Sequence, residues 1–216
     1  MLFTWGNGLA QDSYQPEVLA RKFFEVRQAN NQSIREFSWS TRTDVTRKDK
    51  VVDIQIEECR YGPEGKPECK IVNDQEARLP SSFLIHKIAV EEQQKMVEFM
   101  NELRVFLQQY ALEGKERILD FFGRAKIIPQ GSQGELIISG EDLIAKGDKM
   151  TWWVDRNSYT TTKAGISTIF QGEQVEFTAT YTYVSPGIHY MTFAEIIVPS
   201  KTILVQIHSY DYKKAD

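Results

Sequence analysis

Catalysis, metal binding and redox chemistry each need particular side chains at particular spacings, and few such arrangements occur here. The three histidines, His86, His189 and His208, are far apart and lack the short intervals by which one element presents two ligands to a metal. Each reads as a surface or strand histidine. No Gly-x-Ser-x-Gly elbow, His-Glu-x-x-His helix or Walker-type loop occurs, so the arrangements those motifs build are not signalled. Gly131-Ser132-Gln133-Gly134 is not followed by the lysine of a phosphate cradle. Glu57-Glu58, Glu91-Glu92 and Glu141-Asp142 are adjacent pairs. Neighbours in a strand or helix point to different faces, which unfits them for joint acid–base work. No enzyme activity, cofactor or metal is expected.

The two cysteines carry one definite chemical possibility. Cys59 and Cys69 flank Arg60-Tyr61-Gly62-Pro63-Glu64-Gly65-Lys66-Pro67-Glu68, a turn-forming stretch. If the turn centres on Glu64, Cys59 lies directly opposite Cys69, within disulfide reach at a non-hydrogen-bonded pair. A bridge closing so short a loop contributes roughly 2–3 kcal/mol in the chain-entropy model, and it persists only in an oxidising compartment. The other reading is two free thiols on a hairpin.

The elements that would position any site follow from periodicity. Residues 16–29 read as a helix, with Val18, Leu19, Phe23 and Val26 at helical spacing and Pro16 suited to a first turn. After Asn30-Asn31 the period becomes two. Residues 37–45 alternate, and a Lys48-Asp49 turn would pair Val45 with Val52, Thr43 with Ile54 and Thr41 with Ile56, with Trp39 and Phe37 continuing that face. Residues 90–112 form the longest helix candidate. Its stripe of Met96, Phe99, Met100, Leu103, Phe106, Leu107 and Tyr110 opposes a polar face, and Gly114 is the expected stop. A second helix, 115–125, carries Ile118, Leu119, Phe121 and Phe122.

From Gly134 the chain reads as at least six strands. A Gln171-Gly172 hairpin sets Val175, Phe177, Ala179 and Tyr181 against Thr168, Ile166, Ala164 and Thr162. A Pro199-Ser200 hairpin pairs Ile196 with Ile203, Ala194 with Val205 and Thr192 with Ile207. Strands with one oily face must be covered by helices or curl on themselves. The Met-bearing helical stripe either packs on the sheet as core or borders a hollow, since methionine adapts to irregular partners.

Composition excludes some partners. The 216 residues are 41% hydrophobic, 12% aromatic and 26% charged, with a net charge of −4 from 26 basic and 30 acidic residues. Mixed charge gives no basic field for nucleic acid or an anionic membrane surface. No apolar run approaches the roughly 18 residues of a transmembrane segment. Gly8-Leu9-Ala10 followed by Gln11, after the apolar Met1-Leu2-Phe3-Thr4-Trp5, reads as the end of an export signal or as a disordered extension. Residues 1–15 are therefore set apart, and 16–216 read as a single domain without repeat or linker.

The most telling stretch for family is Met150-Thr151-Trp152-Trp153-Val154-Asp155-Arg156-Asn157-Ser158-Tyr159. Together with Phe170-Gln171-Gly172-Glu173-Gln174-Val175, Thr178-Ala179-Thr180-Tyr181 and Ile197-Val198-Pro199, it resembles the LolA superfamily of periplasmic lipoprotein carriers, which includes LolB and the RseB-type sensors. The resemblance covers roughly residues 16–212. It implies an α+β fold: a strongly curved antiparallel sheet, an incomplete β-barrel, covered by an N-terminal helix and a mid-chain helical pair. It also implies an apolar hollow that receives acyl chains or a partner's hydrophobic segment. Two features depart from the family: a mid-chain helix of more than twenty residues and the Cys59–Cys69 hairpin.

The function this implies is non-enzymatic, extracytoplasmic binding or carriage of a lipid, lipoprotein or other hydrophobic ligand by a monomer. The alternative is a protein-interaction or envelope-sensor module with a closed core. Candidate residues for the sheet side of a hollow are Phe37, Trp39, Ile54, Ile56, Phe177 and Tyr181, and for its lid Met96, Phe99, Met100, Leu103 and Phe106. Each methylene buried there would contribute about 0.8 kcal/mol.

Overall fold

Pro16, whose missing N–H costs nothing at a helix start, opens α1 (Pro16–Ser33). The computed structural model describes residues 15–76, 83–112, 114–130 and 134–214, with side chains described outside 73–93. Expectations attached to residues 1–14, to the side chains of His86, Glu91 and Glu92, and to Gly131, Ser132 and Gln133 lie outside the described residues. Helix α1 runs four residues beyond the expected end at 29, because Asn30 is turned inward, 8% exposed. Tertiary hydrogen bonds there outweigh the weak helix propensity of Asn30-Asn31.

A short 3-10 turn, Ile34–Glu36, leads into β1 (Phe37–Arg47), β2 (Lys50–Tyr61) and β3 (Pro67–Glu76). Helices α2 (Phe83–Gln108) and α3 (Lys115–Arg124) follow. The chain then lays down β4 (Lys126–Gln130), β5 (Glu135–Glu141), β6 (Lys149–Asp155), β7 (Thr161–Phe170), β8 (Glu173–Ser185), β9 (Ile188–Val198) and β10 (Ile203–Lys214). All ten strands join one sheet in the order β3-β2-β1-β10-β9-β8-β7-β6-β5-β4. Its pairs are antiparallel and it does not close into a barrel, since β3 and β4 are its two ends. The fold is thus α+β, an open antiparallel sheet covered by an N-terminal helix and a mid-chain helical pair. Those two helices connect the two end strands, so they must travel across one face.

That inner face holds two cores. In the first, Leu19 and Phe23 of α1 and Ile118, Phe121 and Phe122 of α3 pack on Leu136, Ile138, Trp152 and Val154. Phe23 stacks on Trp152 with centroids 4.8 Å apart, and Phe121 meets the same indole edge-on at 4.9 Å. Gly140 makes room for this, because a Cβ there would lie 2.5 Å from the Phe121 ring. In the second core, Phe99 and Leu103 of α2 pack on Val175, Ile196, Val198, Ile203 and Val205. Phe106, Leu107 and Phe177 border both.

Two registers match the sequence and two are corrected. Cys59 pairs with Cys69 and the two form a disulfide, their Cα atoms 4.1 Å apart. Thr168, Ile166 and Ala164 face Val175, Phe177 and Ala179 around a turn with positive φ at Gln171 and Gly172. The Lys48-Asp49 turn forms, both residues having positive φ as a type I′ turn requires. A β-bulge follows it, so Val45 faces Asp53, Thr43 faces Gln55 and Thr41 faces Glu57. A one-residue slip moves side chains to the other face. Ile54 and Ile56, opposite Asp44 and Arg42, consequently lie on the face away from Trp39. The β9–β10 connection spans four residues, a 3-10 turn Pro199–Lys201 with left-handed Thr202. Val198 therefore faces Ile203, Ile196 faces Val205 and Ala194 faces Ile207, a shift of two that keeps the face.

Helix α2 was expected over 90–112 and instead ends in a 3-10 turn, Gln109–Ala111, with Leu112 left-handed. The chain tightens there because Tyr110, 1% exposed, turns inward to donate to Asp148 Oδ2 at 2.7 Å while its oxygen lies 2.9 Å from Thr168 Oγ1. Gly114, expected to stop α2, has φ 91 and precedes α3.

Candidate ligand-binding site

The eleven side chains singled out from the sequence do not converge on one hollow. Phe99 and Leu103 are buried under α2, and Leu103 is 0% exposed. Met96, Met100 and Phe106 are half-buried at the border of that core. Phe177 joins the two cores and Tyr181 packs against the first. Phe37 and Trp39 are buried at the start of β1, where Trp39 stacks on Tyr212 at 5.3 Å and tilts against Tyr61 at 5.0 Å. Ile54 and Ile56 are on the other face.

A cleft opens instead beside the C-terminal half of α1, with a volume of about 520 Å³ and walls of Val26, Ala29, Ser158, Thr160, Tyr183, Pro186 and Gly187. That volume lies within the range of small-ligand pockets. Val26 and Ala29 are three residues apart and share one face of the helix. Pro186-Gly187 turns the chain between β8 and β9, and φ is 79° at Gly187, a conformation glycine adopts without strain. The third side is the turn after β6. Asp155 organises it by accepting from the Asn157 and Ser158 N–H groups and from Ser158 Oγ. Those bonds, the Ser158 N–H foremost, hold the Asp155 carboxyl below its ordinary range. Thr160 Oγ1 in turn lies 2.8 Å from Tyr183 Oη, which fixes the ring as a wall. The signals missed in the sequence were the small Ala29 on the helical stripe and the Ser185-Pro186-Gly187 turn.

Behind the cleft, Asn30 fastens α1 to β9. Its Oδ1 accepts from the His189 N–H at 2.8 Å and its Nδ2 donates to the His189 carbonyl at 3.0 Å, as a strand residue would pair. The His189 ring stands edge-on to Tyr181 and Tyr183, at 6.4 and 6.1 Å, with Nδ1 buried and without a hydrogen-bond partner. Burial, then the Arg27 guanidinium, push its pKa below 6.5. Burial raises the Tyr181 phenol.

His208 packs at a tilt against Phe193, ring centroids 4.8 Å apart, on the outer face, away from His189. Glu57, Cys59 and Cys69 form a cluster with metal-ligand spacing, but both sulfurs are committed to the disulfide. A second cleft of about 280 Å³ is lined by the charged Glu116, Arg117, Asp120 and Arg124 with Leu112, Phe121 and Leu143. Arg124 there pairs with Asp120 at 2.6 Å.

No protein-family model matches the chain, and no curated protein does. Among solved structures it is similar to a DUF1329 family protein from Desulfovibrio piger at 13% identity, covering 92% of this chain and 91% of that one, TM-score 0.43. It is similar to a LolA superfamily protein from Nitrosomonas europaea at 11% identity, covering 91% and 94%, TM-score 0.42. A third likeness is to a domain described as that of an outer membrane lipoprotein-sorting protein from Vibrio parahaemolyticus, at 10% identity over 90% and 92%, TM-score 0.41.

Proposed function

We propose that this chain is a non-enzymatic, extracytoplasmic binder of a hydrophobic group, an acyl chain of a lipid or acylated protein, received in the cleft beside α1. The observation that carries the reading is the cleft of about 520 Å³ whose wall is built by Val26, Ala29, Tyr183 and Pro186. The Cys59–Cys69 bridge supports an oxidising compartment, and no helix among the described residues is long and apolar enough to cross a membrane. The test is uptake of a fluorescent fatty acid together with native mass spectrometry after mild extraction. Wild type takes up the probe and Ala29→Trp, a change at an exposed helix position, weakens uptake at least about tenfold, the equivalent of about 1.4 kcal/mol. A clean apo mass and no probe uptake by the wild type would sink the proposal.

The closed core favours a second reading, a protein-interaction or envelope-sensor module. Leu103, Val175 and Val198 are each 0% exposed, so the space between α2 and the sheet is filled. Capture of a defined envelope protein whose apolar side chain competes with the fatty acid at Ala29 would favour this reading over lipid carriage.

A further inference from the structure

The cleft's helical wall is held by an unusual fastening. Asn30 takes both backbone groups of His189, and the imidazole of that same residue presents a buried, unpartnered Nδ1. An N–H placed there would find no acceptor, and a buried donor without one is costly. The groups that face the ring are Tyr181 and Tyr183 from β8 and, as the charge acting on it, Arg27 from α1. Arg27 is not free to retreat, since its Nη2 donates to the Ala111 carbonyl at 2.6 Å and its guanidinium lies over the Trp152 ring at 5.8 Å.

We infer that the α1–β9 contact is an acid-opened latch on the cleft, in which proton uptake by His189 sets a second cation against Arg27 and releases Asn30 from β9. This inference rests on the ligand-binding reading only for its purpose. The closed state binds the proton less readily than the open one, because burial and Arg27 both disfavour the imidazolium. The latch is therefore at full strength above the open-state value near 6.5, and weakens as pH falls through the lowered closed-state value. Within that window the open-to-closed ratio rises about tenfold per pH unit. Opening frees Ala29 from the β8–β9 turn, so a ligand held at neutral pH is released in acid.

The test is hydrogen exchange at the His189 backbone N–H in the full chain without ligand, from about pH 7.5 to about pH 5. Protection, corrected for intrinsic exchange, should fall about tenfold per unit once the window is entered. His189→Gln should show no such fall, and Asn30→Ala should be unprotected throughout. Should the glutamine variant fail to fold, Arg27→Gln replaces it, with a fall that begins at the same pH, levels off at a higher pH and is smaller in total. Protection that is flat in the wild type, or that falls equally in His189→Gln, overturns the latch and leaves fatty-acid uptake standing. Absent uptake with an acid-dependent latch does the reverse.

Discussion

Asp148 is 1% exposed and nearly every bonding site of its carboxylate is engaged, so its replacement gives a large and readable effect. Oδ1 accepts from the Leu143 N–H at 2.7 Å, and Oδ2 from those of Ile144 and Ala145, both at 2.8 Å. Tyr110 Oη donates to Oδ2 as well, at 2.7 Å. Burial alone would raise this carboxyl, but the bonds from Ala145, Tyr110, Leu143 and Ile144 outweigh it and hold the pKa below 3.8. Hydrogen bonds to a charged group are worth about 1.5–3 kcal/mol each. Residues 143–145 are half-buried, so water partly replaces the lost acceptor and the lower figure applies. Loss of the three amide bonds in Asp148→Ala then costs about 4–5 kcal/mol, or roughly 10–15 °C in Tm for a chain of this size. Asp148→Asn keeps the volume but only one accepting oxygen, and loses about half as much. The native carboxylate's contribution is present above pH 3.8 and lost as pH falls through its depressed value, so the variants should also lack that acid-dependent component. Urea unfolding at neutral pH and at about pH 3 measures both effects. A loss under about 1 kcal/mol for the alanine variant would refute the accounting, since the amides would then be equally well served by solvent.

Two further perturbations test the frame. The double change Cys59→Ser/Cys69→Ser opens a loop of sequence separation 10 and should cost about 3 kcal/mol in the chain-entropy model. Reductant should produce the same loss in wild type and none in the variant, read by chemical denaturation. Leu103→Ala on α2, at 0% exposure, should cost about 2–5 kcal/mol. Val105→Ala, 59% exposed on the same helix, should stay within about 0.5 kcal/mol, and equal losses would mean that α2 covers the sheet with another face.

Local pattern carried the fold a long way. Alternation in 163–180 with Gln171-Gly172 between gives the observed register because nothing interrupts that ladder. The same logic fails at Val45, where a bulge inserts one residue on β2 and no residue type announces it. That single insertion sends Ile54 and Ile56 to the outer face, which is why part of the expected oily surface is absent from the inner one. Burial of Phe99 and Leu103 was legible in the stripe of α2, but whether they cover a hollow or fill it depends on side chains from β8, β9 and β10. The cleft beside α1 was not legible, because its walls come from 26–29, 158–160 and 183–187, three segments that only the sheet order brings together.

Where a ligand could enter follows from the energies of the two covers. Lifting α2 exposes Phe99 and Leu103, buried against five apolar sheet residues, at about 1.5–3 kcal/mol for each side chain. Helix α1 is anchored at its N-terminal half by Leu19, Ala20 and Phe23, while the end of its C-terminal half, beyond the Arg27 bond to the Ala111 carbonyl, has Asn30 as its one buried side chain. Asn30 makes two hydrogen bonds, each a net contribution of about 0.5–1.5 kcal/mol. The cheaper motion is a swing of residues 28–30 away from the β8–β9 turn, with Arg27 keeping its bond to the Ala111 carbonyl and α3 keeping the rest of α1 in place through the Phe23–Phe122 contact at 5.3 Å. An acyl chain that penetrates toward Phe177 and Tyr181 would therefore pass beside α1 and not beneath α2. Substitutions under α2 should alter stability ahead of binding, and those at Asn30 should alter binding ahead of stability.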